Sequence, residues 1–124
     1  MTSAAELERI TDKESVDNIK EIADEIAAKV KPLKIILFGS FAKGSYTEDS
    51  DFDFYLVIDD ERNVATATQE AYIASSNIKK RPVDIVVGTN TRFETKRKAS
   101  YTQMVEREVE QYGILLYDQG EVVA

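Results

Sequence analysis

Three aspartates and one Gly-Ser pair are the residues of this chain whose types and spacing could do chemistry. Asp51 and Asp53 open the stretch Asp51-Phe52-Asp53-Phe54-Tyr55-Leu56-Val57-Ile58, and Asp84 lies inside Val83-Asp84-Ile85-Val86-Val87-Gly88. On an extended strand, residues two apart leave the same face with α-carbons roughly 6.5 Å apart. Asp51 and Asp53 therefore aim together, while Phe52 and Phe54 point the other way. Paired carboxylates repel and raise one another's pKa unless a cation lies between them, and magnesium, a hard ion that prefers oxygen ligands, suits that place. The Asp-x-Asp spacing alone carries little weight, because Asp49-Ser50-Asp51 repeats it one step earlier.

Asp84 says more, since it interrupts an apolar run where an unpaired ionised group would be costly. Two arrangements would compensate it: a buried ion pair with Lys or Arg, or a cation shared with Asp51 and Asp53. If the strands carrying these residues are neighbours, three carboxylates converge at one sheet end, enough to hold two divalent ions about 4 Å apart. Gly39-Ser40 stands ten residues ahead of Asp51, directly after a buried run. Read blandly it is a tight turn. Read with the aspartates, it offers a close backbone approach, a hydroxyl and free N–H groups for phosphate oxygens. Walker-type and dinucleotide glycine fingerprints are both absent.

The elements that must position these residues follow from periodicity. Val16, Ile19, Ile22, Ala23, Ile26, Ala27 and Val30 form one stripe of a helix over Ser15–Val30, stopped by Pro32. Lys34–Phe38 is a short apolar run of the kind buried on both faces of a sheet. Residues 40–50 read as a turn with one helical turn inside, and 51–58 as a second strand. Asp59–Asn63 is a charged loop, Val64–Ile78 a weaker helix, Val83–Gly88 a third strand. Phe93, Tyr101, Met104, Val105, Val109 and Tyr112 fit a helix from Arg92 to Tyr112, with Gly113 as its cap. Ile114–Asp118 closes the sheet. Strands alternating with helices predict an α/β fold with ligands at the strand ends.

Gly39-Ser40-Phe41-Ala42-Lys43-Gly44 followed by Ser50-Asp51-Phe52-Asp53 closely resembles the minimal nucleotidyltransferases of the DNA polymerase beta superfamily, whose hallmark is Gly-Ser, ten residues, then Asp-x-Asp. The hydrophobic-Asp-hydrophobic third strand and the closing Tyr-Gly-Ile-Leu-Leu-Tyr-Asp extend the likeness over nearly the whole chain. The resemblance implies one domain over residues 1–124, with 1–14 and 119–124 as loose ends, and a mixed sheet of about four strands flanked by three to four helices. It implies that Asp51 and Asp53 bind two magnesium ions and that Asp84 binds the catalytic ion and helps deprotonate an acceptor hydroxyl. Gly39 and Ser40 would hold the triphosphate of ATP or another nucleoside triphosphate, assisted by Lys43, which replaces the commoner arginine. Free-standing domains of this kind resemble antitoxins that transfer AMP to a tyrosine of a HEPN-domain toxin.

Composition narrows the alternatives. The 124 residues carry a net charge of −7, from 16 basic and 23 acidic side chains, a poor match to the backbone of extended nucleic acid. Nucleic-acid end modification rests only on two basic clusters, Lys79-Lys80-Arg81 and Lys96-Arg97-Lys98, which read more simply as solvated helix faces or partner contacts. Neither cysteine nor histidine is present, so chemistry must rest on carboxylates, hydroxyls, Lys, Arg or metal. No apolar run approaches the roughly 20 residues of a membrane span, and a cytoplasmic protein is expected. The rival reading is a non-catalytic module that neutralises a partner protein by contact, and assembly with itself or a partner suits either reading.

Overall fold

The computed structural model of the protein describes residues 1–99 and 104–119. In chain order these form β1 (Thr2–Ser3), a 3-10 turn (Ala4–Arg9), α1 (Lys13–Val30), β2 (Lys34–Phe38), α2 (Gly39–Lys43), β3 (Phe52–Ile58), α3 (Val64–Ser76), β4 (Val83–Thr89), α4 (Asn90–Lys96), α5 (Val105–Tyr112) and β5 (Ile114–Asp118). The strands make one sheet in the order β1-β5-β2-β3-β4. β2 runs antiparallel to β3 and β5, whereas β3 pairs parallel with β4 and β1 parallel with β5, so the sheet is mixed as expected.

Strand β2 lies at the middle of the sheet, and its Ile35, Ile36 and Leu37 are fully buried, which is why that run carries no polar alternation. β3 divides its side chains between two cores. Phe52, Phe54, Leu56 and Ile58 pack with the α1 stripe and with Ala67 and Ala71 of α3; Tyr55 and Val57 face the other way, against Phe93 of α4 and Val109 of α5. α1 begins where Asp12 accepts from the Ser15 backbone N–H and ends at Lys31, whose backbone turns left-handed ahead of Pro32. Asn63 caps α3 in the same way, accepting from Thr66. The crossover β3-α3-β4 supplies the long connection that a parallel strand pair needs.

The expected mixed sheet holds with one short strand added, and two expectations need correcting. The sheet has five strands, because Thr2 and Ser3 pair with Ile114 and Leu115. Two residues give no periodic signal; what fixes them is the open edge of β5 and the burial of Leu7 and Ile10 just beyond. Residues 1–14 are thus docked rather than loose. The helix expected over Arg92–Tyr112 is two helices: Arg97 pairs with Glu110 at 3.3 Å and with Glu94 at 3.1 Å, and Arg107 donates to the Arg97 carbonyl. Residues thirteen apart on one straight helix would stand roughly 20 Å apart, so the Arg97–Glu110 pair requires the chain to fold back. Tyr101, part of the expected stripe, lies outside the described residues, as do 120–124 of the expected loose C-terminus. Gly113 does cap α5, but with φ −64°; glycine is needed there for space, since a methyl group would meet Ile36 Cγ2 at 2.7 Å. Among the described residues no helix is long and apolar enough to cross a membrane.

Candidate active site

The end of β2 and the beginnings of β3 and β4 meet at one edge of the sheet. Phe38, the last residue of β2, pairs with Asp53, and Asp53 in turn pairs in register with Asp84 across the parallel β3–β4 ladder. Register partners on adjacent strands, about 4.8 Å apart, send their side chains off the same face, so Asp53 and Asp84 are brought together. Asp51 stands one residue before β3 rather than inside it, still near enough for its charge to act on Asp53.

The premise about Asp84 changes. Asp84 is exposed, because β4 is an edge strand and its N-terminal end is left uncovered; no burial cost has to be met there. The strained carboxyl is Asp53. Partial burial, followed by the charges of Asp84, Asp51 and Glu108, pushes its pKa up from 3.8 to about 6. Among the described residues no lysine or arginine forms an ion pair with Asp51, Asp53 or Asp84, so the ion-pair alternative for Asp84 is not what the fold provides.

Gly39 joins this cluster through its backbone. Its φ is +74°, and a methyl group built on it would stand 2.8 Å from the carboxyl carbon of Asp53, so both conformation and space demand glycine. Ser40 follows in the first turn of α2 and is half-buried. Lys43 closes that helix, but its ammonium is engaged: it pairs with Glu108 of α5 at 2.9 Å and sits 5.3 Å from the centre of the Tyr112 ring. Glu108 is the residue of the candidate site that sequence reasoning missed. Nothing in its own helix marks it, and only the packing of α5 beside α2 brings it to Asp53 and Lys43.

Behind the acidic cluster lies a second network. Tyr55, two residues along β3 from Asp53, donates to Glu106 Oε2 at 2.6 Å, and Arg92 Nε donates to the same oxygen at 3.0 Å. Glu106 is 1% exposed. Burial opposes its charge, yet the bonds from Tyr55 and Arg92 outweigh that and hold its carboxyl below the usual range. Burial, then the bond to Glu106, raises the Tyr55 hydroxyl pKa, so it stays a donor. This network ties α4 and α5 to the face from which Asp53 projects.

The aspartates are not enclosed. A cleft of about 690 Å³ lies beside α2, lined by Phe41, Tyr46, Arg9 and Tyr112, and touches the site only through Lys43. Among the described residues no three acidic side chains are already drawn into a metal cage. Magnesium does not require one: it keeps several waters and is held through one or two carboxylates together with substrate phosphates. Oxygen donors crowded until one carboxyl resists ionisation are a set that a divalent cation fits.

A Gly-Ser turn beside acidic residues at the ends of three adjoining strands is the arrangement of a nucleotide-handling α/β domain. The sequence model of the nucleotidyltransferase domain family matches residues 19–116, and the chain belongs to that family. A Methanocaldococcus jannaschii protein described as a candidate protein adenylyltransferase is 49% identical over 43 residues, covering 33% of this chain and 43% of the relative. The chain thus spans less than half the length of that relative. Two solved structures share the fold. A candidate nucleotidyltransferase from Sulfolobus solfataricus is 23% identical with a TM-score of 0.56 over 100% of this chain and 95% of its own. A toxin–antitoxin structure with AMP-PNP is 21% identical with a TM-score of 0.53, over 83% of this chain and 74% of that one.

Proposed function

We propose that this chain is a magnesium-dependent adenylyltransferase that takes ATP and passes AMP to a hydroxyl acceptor, a tyrosine of a HEPN-family toxin for which it acts as antitoxin. The observation that carries the metal-dependent chemistry is Asp53, crowded by Asp84 and Asp51 with no lysine or arginine paired to them among the described residues. The 49% identity to a candidate protein adenylyltransferase supports the choice of AMP and of a protein acceptor. The toxin–antitoxin neighbour with AMP-PNP supports an antitoxin setting.

In this reading Asp51 and Asp53 would hold two magnesium ions, with Asp84 as a further ligand to the catalytic one. Magnesium held by these carboxylates would supply a lowered pKa for the acceptor hydroxyl and offset charge growing on the α-phosphate. Gly39 lets the backbone come close to the triphosphate, and Ser40 presents a hydroxyl and N–H to its oxygens. Lys43 adds positive charge at the rim, shared with Glu108. Asp84 accepts the acceptor's proton, the hydroxyl oxygen attacks the α-phosphorus, and the bond to the bridging oxygen breaks as pyrophosphate departs. The unpaired acidic cluster repels nucleotide unless cations are present, so metal and ATP are expected to bind together.

Labelled ATP, magnesium and a candidate HEPN-domain toxin test the proposal. The expected result is label on a toxin tyrosine, lost in Asp51→Asn and Asp53→Asn proteins that remain folded. A chain that silences the toxin equally well without magnesium and with both aspartates replaced would be a contact-only neutraliser instead.

A further inference from the structure

Arg81, from the basic stretch first read as a solvated face, is folded inward with its side chain 19% exposed. Its Nη1 donates to the carbonyls of Thr47, Glu48 and Ser50, each at 3.0 Å. Its Nη2 lies 3.5 Å from Asp12 Oδ2, the carboxylate that caps α1. The guanidinium plane also stands 5.0 Å from the centre of the Phe41 ring, which belongs to the helix opened by Gly39 and Ser40. One residue on, the Pro82 carbonyl accepts from the Phe52 N–H at 3.0 Å, and two residues beyond that is Asp84.

One guanidinium therefore joins the loop before Asp51, the cap of α1 and the helix opened by Gly39 and Ser40. The loop it grips ends at Ser50, directly before Asp51, the one aspartate outside the β ladder and hence the one whose position no strand pairing enforces. The Thr47–Ser50 segment has turn bonds of its own, Ser50 N–H to Thr47 O at 3.2 Å and Thr47 N–H to Ser50 Oγ at 2.8 Å. These shape the turn without attaching it to the sheet; Arg81 makes that attachment. Three carbonyls, a carboxylate and an aromatic face together match a flat, multi-donor guanidinium and no other side chain, since an ammonium cannot present the fork or stack.

We infer that Arg81 is a positioning residue for the transfer reaction: it sets Asp51 against Asp53 and Asp84, and thereby governs how tightly the site takes up a divalent cation with its nucleotide. The inference rests on the function proposed above. It is distinct from a general stabilising role because it assigns the effect to metal affinity.

The test compares the full chain with Arg81→Lys, which keeps the charge and loses the fork. Manganese binding in the presence of a non-hydrolysable ATP analogue is measured by calorimetry, and exposure of the 45–50 loop by the rate at which a glutamate-specific protease cuts after Glu48. Displacing a group that orients a metal ligand commonly weakens metal affinity by roughly 10- to 100-fold; that loss is expected here, with faster cutting after Glu48 and a melting curve that stays cooperative. Equal manganese affinity per folded molecule in the two proteins, whatever happens to melting temperature, would overturn the inference and leave the function standing. If the unaltered chain takes up neither manganese nor nucleotide, the function and the inference fall together.

Discussion

Replacing Asp53 by asparagine is expected to stabilise the metal-free protein while ending its chemistry. The folded Asp53 carboxyl holds its proton more tightly than an unfolded one, with a pKa near 6 against 3.8. A group raised in this way favours the folded state fully below its unfolded pKa, and that contribution disappears as pH climbs through the folded value. Taken at full strength the rise would be about 3 kcal/mol. The carboxyl is only partly buried, and solvent screening reduces the figure to roughly 1–2 kcal/mol. Asparagine keeps the shape and never ionises, so at pH 8 in chelator the variant is expected to melt higher by roughly 4–8 °C. Below about pH 3.5, where the carboxyl is largely protonated in the unfolded chain as well as in the folded one, the difference shrinks towards zero. Magnesium with nucleotide then narrows the gap at pH 8 by raising the melting point of the unaltered protein alone. Melting curves of both proteins at the two pH values decide the matter. A gain independent of pH, or a variant that melts lower at pH 8, would refute the claim that burial together with like-charge crowding strains this residue.

Three further outcomes can be checked with standard variants. Gly39→Ala places a side chain at φ +74° and against the Asp53 carboxyl; the left-handed backbone alone costs about 1–2 kcal/mol, and transfer of labelled nucleotide is expected to fall further than stability does. Tyr55→Phe leaves buried Glu106 with Arg92 as its remaining side-chain donor among the described residues, and denaturant unfolding should show a loss of roughly 1–3 kcal/mol. Leu7→Ala, at a position 1% exposed, should cost about 2–5 kcal/mol; a loss near zero would mean that the N-terminal segment is not docked.

How much of this was legible beforehand differs from element to element. The α1 stripe announced itself because seven apolar residues recur at helical spacing, and its observed start at Lys13 differs by two residues because Asp12 caps it through Ser15. β2 and β3 were legible as apolar or aromatic runs. The break between α4 and α5 was not, because Arg97, Glu110 and Arg107 are ordinary helix-surface residues until they meet. For the site, Gly39, Ser40, Asp51, Asp53 and Asp84 could be named from residue type and interval. Glu108 and Arg81 could not, since each acts through partners more than thirty positions away in sequence.

Local order along the chain thus settled which segments become helix or strand, which residues are charged, and which turn must contain glycine, because those depend on neighbours a few positions apart. Tertiary structure decided the rest. Parallel pairing of β3 with β4 chose which aspartate sits beside which; the edge position of β4 left Asp84 in water and moved the electrostatic strain to Asp53. Coulomb energy and desolvation depend on distance in space, and that distance exists only once the strands have found their register.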